Sequence, residues 1–93
     1  MQFTWHQAKA RQNLRKHGVS FEEATTVFAD PLARIFDDLE HSLGEWREII
    51  IGHSAGGTLL LVSFTERAED LIRIISARHT DVIERRTYEE NIE

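Results

Sequence analysis

The sequence predicts an α+β domain built from two N-terminal helices, a four-stranded antiparallel sheet and a C-terminal helix. Three observations carry this prediction. Residues 6–28 place apolar side chains at helical spacing and are interrupted once, by a glycine. Residues 33–78 hold short runs rich in branched aliphatic residues, separated by turn-forming residues. From Thr80 onward the helical spacing returns.

The first helix is predicted from about His6 to His17, with Phe3, Trp5, Ala8, Leu14 and the stems of the basic residues giving the apolar stripe. Gly18 stands where a left-handed C-cap is wanted, and Lys16 and His17 suit the dipole of the last turn. Ser20 then opens a second helix, near Phe21 to Phe28, and Glu23 completes a capping box. Phe21, Ala24, Val27 and Phe28 face inward, and Asp30-Pro31 stops the helix.

Ala33 to Asp37 reads as a short strand, followed by an acidic, turn-rich loop through Glu45. Arg47 to Ser54 is a second strand, and Ala55-Gly56-Gly57 is a tight hairpin signal. Thr58 to Thr65 forms a third strand, and Ala68-Glu69-Asp70 turns into a fourth, Leu71 to Arg78. Connections this short imply antiparallel pairing. The closing helix is expected from an N-cap at Thr80 to about Glu90, with Val82 and Ile83 inward.

At 93 residues the chain makes one domain, 1–93, with a modest core. Its longest apolar runs fall well short of the roughly eighteen residues a membrane span needs. The start, with Trp5 followed by polar and basic residues, is unlike a signal peptide. No cysteine is present, which excludes disulfides and cysteine-ligated metal sites. A cytoplasmic location is the expectation.

The net charge of −5 argues against a general nucleic-acid binder. Its distribution is uneven, however. Residues 1–20 carry four bases and no acid, whereas residues 21–46 carry seven acids and one base. A local basic surface is therefore compatible with an acidic body. The five histidines do not form a metal site by spacing. His6 and His17 share a helix face but lie about 16 Å apart along the axis, and no pair has the i, i+4 spacing of a helical metal site. His17 reads either as a base or proton donor near neutral pH or as a C-terminal capping side chain. No metal and no cofactor are expected.

Several strings together resemble one family: Lys16-His17-Gly18-Val19-Ser20-Phe21, Asp30-Pro31, Ile51-Gly52-His53-Ser54, Phe64-Thr65-Glu66-Arg67, Arg73-Ile74-Ile75-Ser76-Ala77-Arg78, and Glu84-Arg85-Arg86 with Tyr88-Glu89. In order and spacing they are similar to the BrnT family, ribonuclease toxins of bacterial type II toxin–antitoxin pairs with a RelE-like fold. The resemblance covers nearly the whole chain. It departs at His6, where the family has an acid, and at His79-Thr80-Asp81-Val82, where the family has a basic, alanine-rich run.

The resemblance implies metal-independent RNA cleavage that inhibits translation. Such chemistry must remove the 2′-hydroxyl proton, stabilise charge on the phosphorus and protonate the leaving oxygen. Arginine suits the middle role, because its planar fork stays charged and grips two phosphate oxygens. Arg67 and Arg78, at the ends of the third and fourth strands, are the leading catalytic candidates, followed by Arg47, Tyr88 and His17. Lys9, Lys16 and Arg73 are candidate RNA contacts. Strict alternation puts Arg73 and Arg78 on opposite faces unless a bulge intervenes.

The resemblance also implies a partner, a DNA-binding antitoxin of the BrnA type that forms a heterotetramer with the toxin, so that direct DNA contact by this chain is not expected. The alternative is a catalytically weak or inactive homologue that keeps antitoxin binding and serves as an operon co-repressor module.

Overall fold

Along the chain run β1 (Gln2–Thr4), α1 (Gln7–His17), α2 (Phe21–Thr26), β2 (Arg34–Asp37), β3 (Glu48–His53), β4 (Leu59–Ala68), β5 (Leu71–His79) and α3 (Val82–Glu90). Short 3₁₀ turns stand at Val27–Ala29 and Leu39–His41. This is a computed structural model, and it describes residues 1–42 and 44–90. The strands form one sheet in the order β1-β5-β4-β3-β2.

β2 to β5 pair antiparallel, as the short connections predict. The sheet is nevertheless five-stranded and mixed. Residues Gln2–Thr4, expected to lead into the first helix, add a parallel strand against Leu71–Arg73. Three residues are too few to show the period of a strand, and Phe3 and Trp5 fit a helical stripe equally well. In the fold both rings pack on the same core, Phe3 against Phe28 and Trp5 edge-on to Phe21.

α1 begins one residue later than expected, with His6 as N-cap, and ends at Gly18 with φ +71. Its buried residue is Asn13, whereas Leu14, assigned to the inward stripe, is half exposed. The reason is the edge of β5. Beyond Arg73 that edge has no strand partner, and the Asn13 amide takes the place of one. Asn13 donates to the carbonyls of Ala77 and Val19 and accepts from the Ala77 N–H, at 2.8–3.1 Å.

The Ser20 hydroxyl accepts from the Glu23 N–H, which is half of the predicted box. The Glu23 carboxylate turns away instead and accepts from the Ser54 hydroxyl, 2.9 Å. α2 then tightens into the 3₁₀ turn rather than reaching Phe28 as α-helix.

The main core lies between α1, α2 and one face of the sheet, where Phe21, Ala24 and Val27 meet Leu60, Val62, Phe64 and Ile74. α3 crosses the other face. It starts at Val82 behind Asp81, whose carboxylate accepts from the Glu84 N–H, so Asp81 and not Thr80 caps it. Val82 and Ile83 point outward, 71% and 74% exposed. Tyr88 is the inward anchor, packed with Ile51, Leu59 and Leu61. α3 covers only part of this face, and the uncovered part is where the polar residues gather.

Candidate active site

In the register of β3, β4 and β5, Ile49 faces Ser63 and Ser63 faces Ser76; likewise Ile51 faces Leu61 and Leu61 faces Arg78. Paired residues share a face of the sheet, so these side chains all stand on the α3 side. Between Ser63 and Phe64 the register slips, because Ile75 is an extra residue in β5. This bulge reverses the alternation. Arg73, opposite Thr65, therefore comes to the same face as Arg78, opposite Leu61.

These residues floor an open cleft of about 410 Å³, lined by Ile49, Leu61, Ser63, Ile75 and Ser76. The loop after β2 walls it with Asp38, Glu40 and His41, and Arg47, Arg78 and Glu84 supply the remaining polar lining. Arg78 is fixed by a two-pronged ion pair to Glu84, Nη1 to Oε1 at 2.8 Å and Nη2 to Oε2 at 2.9 Å. Glu84 Oε1 also accepts from the Asp81 N–H, 2.9 Å, so the start of α3 and the Arg78 fork share one carboxylate. The Glu84 hydrogen bonds raise the Arg78 pKa above its ordinary value. Those same bonds, set against burial, hold the Glu84 carboxyl below the usual carboxylate range. Both partners stay charged at any physiological pH.

A second arginine group adjoins the cleft through Arg47. Glu45 accepts from Arg67 Nη1 at 2.8 Å and from Arg73 Nη2 at 2.9 Å, while Arg47 Nε lies 3.6 Å from Oε1. Arg67 is unpaired in the β4–β5 ladder, where the register skips from Glu66 to Ala68. β4 runs three residues further than the sequence suggests, which places Arg67 inside the strand.

The other predicted residues divide. Lys9, Lys16 and His17 line a groove of about 270 Å³ between α1 and β5, which shares Ile75 and Ser76 with the cleft. Lys9 also lines a smaller hollow with His6 and Arg73. Tyr88 stands apart, buried under α3 with its hydroxyl donating to Asp30 Oδ2 at 2.8 Å and lying 3.2 Å from His53 Nδ1. Burial, followed by the Asp30 carboxylate, pushes the phenol up to about 12. Burial alone would raise Asp30 too. The N–H groups of His53 and Leu32 and the Tyr88 hydroxyl outweigh it, so that carboxyl is lowered.

Glu45 and His41 carry no signal in the sequence that separates them from the other charged residues of an acidic loop. Glu84 belongs to the Glu84-Arg85-Arg86 string of the resemblance and to Asp81-x-x-Glu84, a capping pattern, but neither marks it as the partner of Arg78. Among the described residues, no three His, Asp or Glu side chains come together as metal ligands.

The model of a family described as "Ribonuclease toxin, BrnT, of type II toxin-antitoxin system" matches residues 5–84. Among solved structures, the fold is similar to that of the Brucella abortus ribonuclease toxin BrnT, with a TM-score of 0.69 and 23% identity over 87% of this chain and 97% of that one. A search of curated proteins finds no match.

Proposed function

Since the chain belongs to the BrnT family of ribonuclease toxins of type II toxin–antitoxin systems, we propose that the cleft between β3–β5 and α3 is an endoribonuclease site that works without a metal ion. The observation that supports this most directly is the Ile75 bulge, which gathers Arg73 and Arg78 onto the face that carries Arg47. In this reading the 2′-oxygen of RNA attacks the adjacent phosphorus, the bond to the 5′-oxygen breaks, and a 2′,3′-cyclic phosphate remains. Arg78, held in one orientation by Glu84, and Arg47 face the phosphoryl oxygens as negative charge builds on them. Permanently charged donors fixed before reaction need no reorganisation at the transition state.

Proton transfer is assigned by position. His41 lines the cleft itself and His17 the adjoining groove, so His41 is the closer group to take the 2′-hydroxyl proton and to return a proton to the departing 5′-oxygen. His17, with Lys9 and Lys16, follows the flanking strand, while Arg67 and Arg73 meet its backbone beyond Arg47. Tyr88 acts through packing, by fixing α3 and with it Glu84. Cleavage of this kind inhibits translation in the cytoplasm, and a BrnA-type antitoxin, joined in a heterotetramer, covers the site and supplies the DNA contacts.

The test is cleavage of single-stranded RNA by the purified protein in excess chelator, wild type beside Arg78→Ala and Arg47→Ala. Arg78→Ala should lower the rate about a hundredfold or more with the unfolding transition retained. A folded wild-type protein that leaves RNA intact, or a folded Arg78→Ala that cleaves equally well, would overturn the reading.

A further inference from the structure

Three arginines, Arg47 in the loop just before β3, Arg67 in β4 and Arg73 in β5, converge on the single carboxylate of Glu45. Glu45 Oε2 accepts from Arg67 Nη1 at 2.8 Å and from Arg73 Nη2 at 3.1 Å, and Oε1 accepts from Arg73 Nη2 at 2.9 Å. Three positive charges against one leave a strongly anion-seeking point on an acidic protein.

The group also holds one donor more than the carboxylate satisfies. Arg47 Nε is buried and has no hydrogen-bond partner among the described residues, with Glu45 Oε1 out of reach at 3.6 Å. A buried N–H without an acceptor is costly and calls for an explanation. A carboxylate is planar and offers two oxygens, both already engaged here. A phosphodiester also offers two charged oxygens, but it is tetrahedral and free of the Glu45 tether, so one of them can move within reach of Arg47 Nε–H. Arg67 and Arg73 stand on strands and Arg47 directly precedes one, whereas the anion belongs to a loop residue that follows Gly44, at φ +77. Replacing the anion therefore disturbs no strand.

We propose that Arg47, Arg67 and Arg73 form a binding site for a backbone phosphate of RNA, and that Glu45 occupies it in the free protein as an internal anion which the phosphate displaces. The two Glu45 oxygens stand where the two non-bridging phosphate oxygens go, and Arg47 Nε–H donates to the nearer of them. Because Arg47 also lines the cleft, the site holds the strand next to the reacting phosphate. The assignment of the phosphate to RNA rests on the ribonuclease reading; the anion site itself does not.

The experiment titrates inorganic phosphate, and separately a 2′-deoxy oligonucleotide that cannot be cleaved, into wild type and Glu45→Gln. Binding is followed through the arginine Nε–H NMR signals. Glu45→Gln should bind both ligands about tenfold more tightly, with the Arg47 Nε–H signal moving in each titration. Adding Arg67→Ala should abolish the gain. Equal affinity of wild type and Glu45→Gln, or a stationary Arg47 signal, would overturn the site. Phosphate binding without competition by the oligonucleotide would overturn its assignment to RNA. Should Glu45→Gln fail to fold, Arg67→Ala in the wild-type chain decides instead: folded protein that binds the oligonucleotide unchanged sinks the proposal, and a loss of about tenfold or more supports it. Neither ligand is cleaved, so a chain without ribonuclease activity still answers the question of the site.

Discussion

At the scale of single residues, Asn13 shows how a side chain can substitute for a strand. Its amide meets both the N–H and the C=O of Ala77 and the carbonyl of Val19, at a sheet edge that would otherwise bury unpaired backbone. Asn13→Ala should therefore destabilise the protein by about 3 kcal/mol, more than an exposed helical substitution does, because three buried backbone groups lose a partner. Chemical denaturation checks this; a change below about 0.5 kcal/mol would refute the role. Nothing in the sequence around Asn13 announces it. The helical period favours Leu14, and only the position of β5, sixty-four residues away in sequence, reverses the two. Arg73 and Arg78 teach the same lesson. Their residue types were legible as phosphate-binding candidates, but their common face depends on the bulge at Ile75, which no residue in Ile74-Ile75-Ser76 signals.

At the scale of elements, the hairpins, the capped ends of α1 and α2 and the stop at Asp30-Pro31 were legible, because glycine, proline and serine act locally. α3 was legible as a helix but not in its rotation. Val82 and Ile83 are apolar, yet Tyr88 is the residue that reaches the sheet, since Asp30 and His53 offer its hydroxyl partners there. The crossing of β3 beneath the turn after α2 is equally exacting. A Cβ added at Gly52 would lie 2.9 Å from Ala33 Cβ and 3.0 Å from Asp30 Oδ2. Asp30 also accepts from the His53 N–H at 2.8 Å, so a shift there loosens the tie between the turn, β3 and α3. Gly52→Ala should lower stability by about 2 kcal/mol, whereas the more exposed Gly56, with its nearest neighbour at 3.7 Å, should accept alanine at little cost. Thermal unfolding of the two variants side by side gives the comparison, and equal effects would contradict it.

Across the whole molecule, carboxylates pull the pH dependence of stability in two directions. Asp30 and Glu84 are lowered by their hydrogen bonds, so the stability they contribute is present above the usual carboxylate range and is lost as pH falls. Glu48 is the reverse case. Burial, then Glu66 and Asp37, raise it from 4.5 to about 7. Its favourable contribution is complete at low pH, where the carboxyl is protonated in both states, and is lost as pH rises through about 7. Glu48→Gln should therefore be more stable than wild type at pH 8, by about 1–2 kcal/mol given the partial exposure of the group. The difference should vanish near pH 4. Parallel denaturation curves at every pH would show that Glu48 ionises normally. The net charge of −5 reveals none of this, because the acids that matter are opposed across β2, β3 and β4 and not adjacent in sequence.

The distribution of the site along the chain has a consequence in time. The cleft lining lies between Asp38 and Glu84, on β3, β4, β5, the loop before them and the helix after them. β1, the first strand to be made, finds its partner only in Leu71–Arg73. Translation delivers residues in order, at about 5–20 per second, so Arg47 waits seconds for Arg78 and Glu84. During that wait α1, α2 and β2 to β4 can collapse on their own core, but one wall of the cleft does not yet exist. The site is completed last by α3, and a chain cut short before it carries the arginines without the Glu84 carboxylate that fixes Arg78.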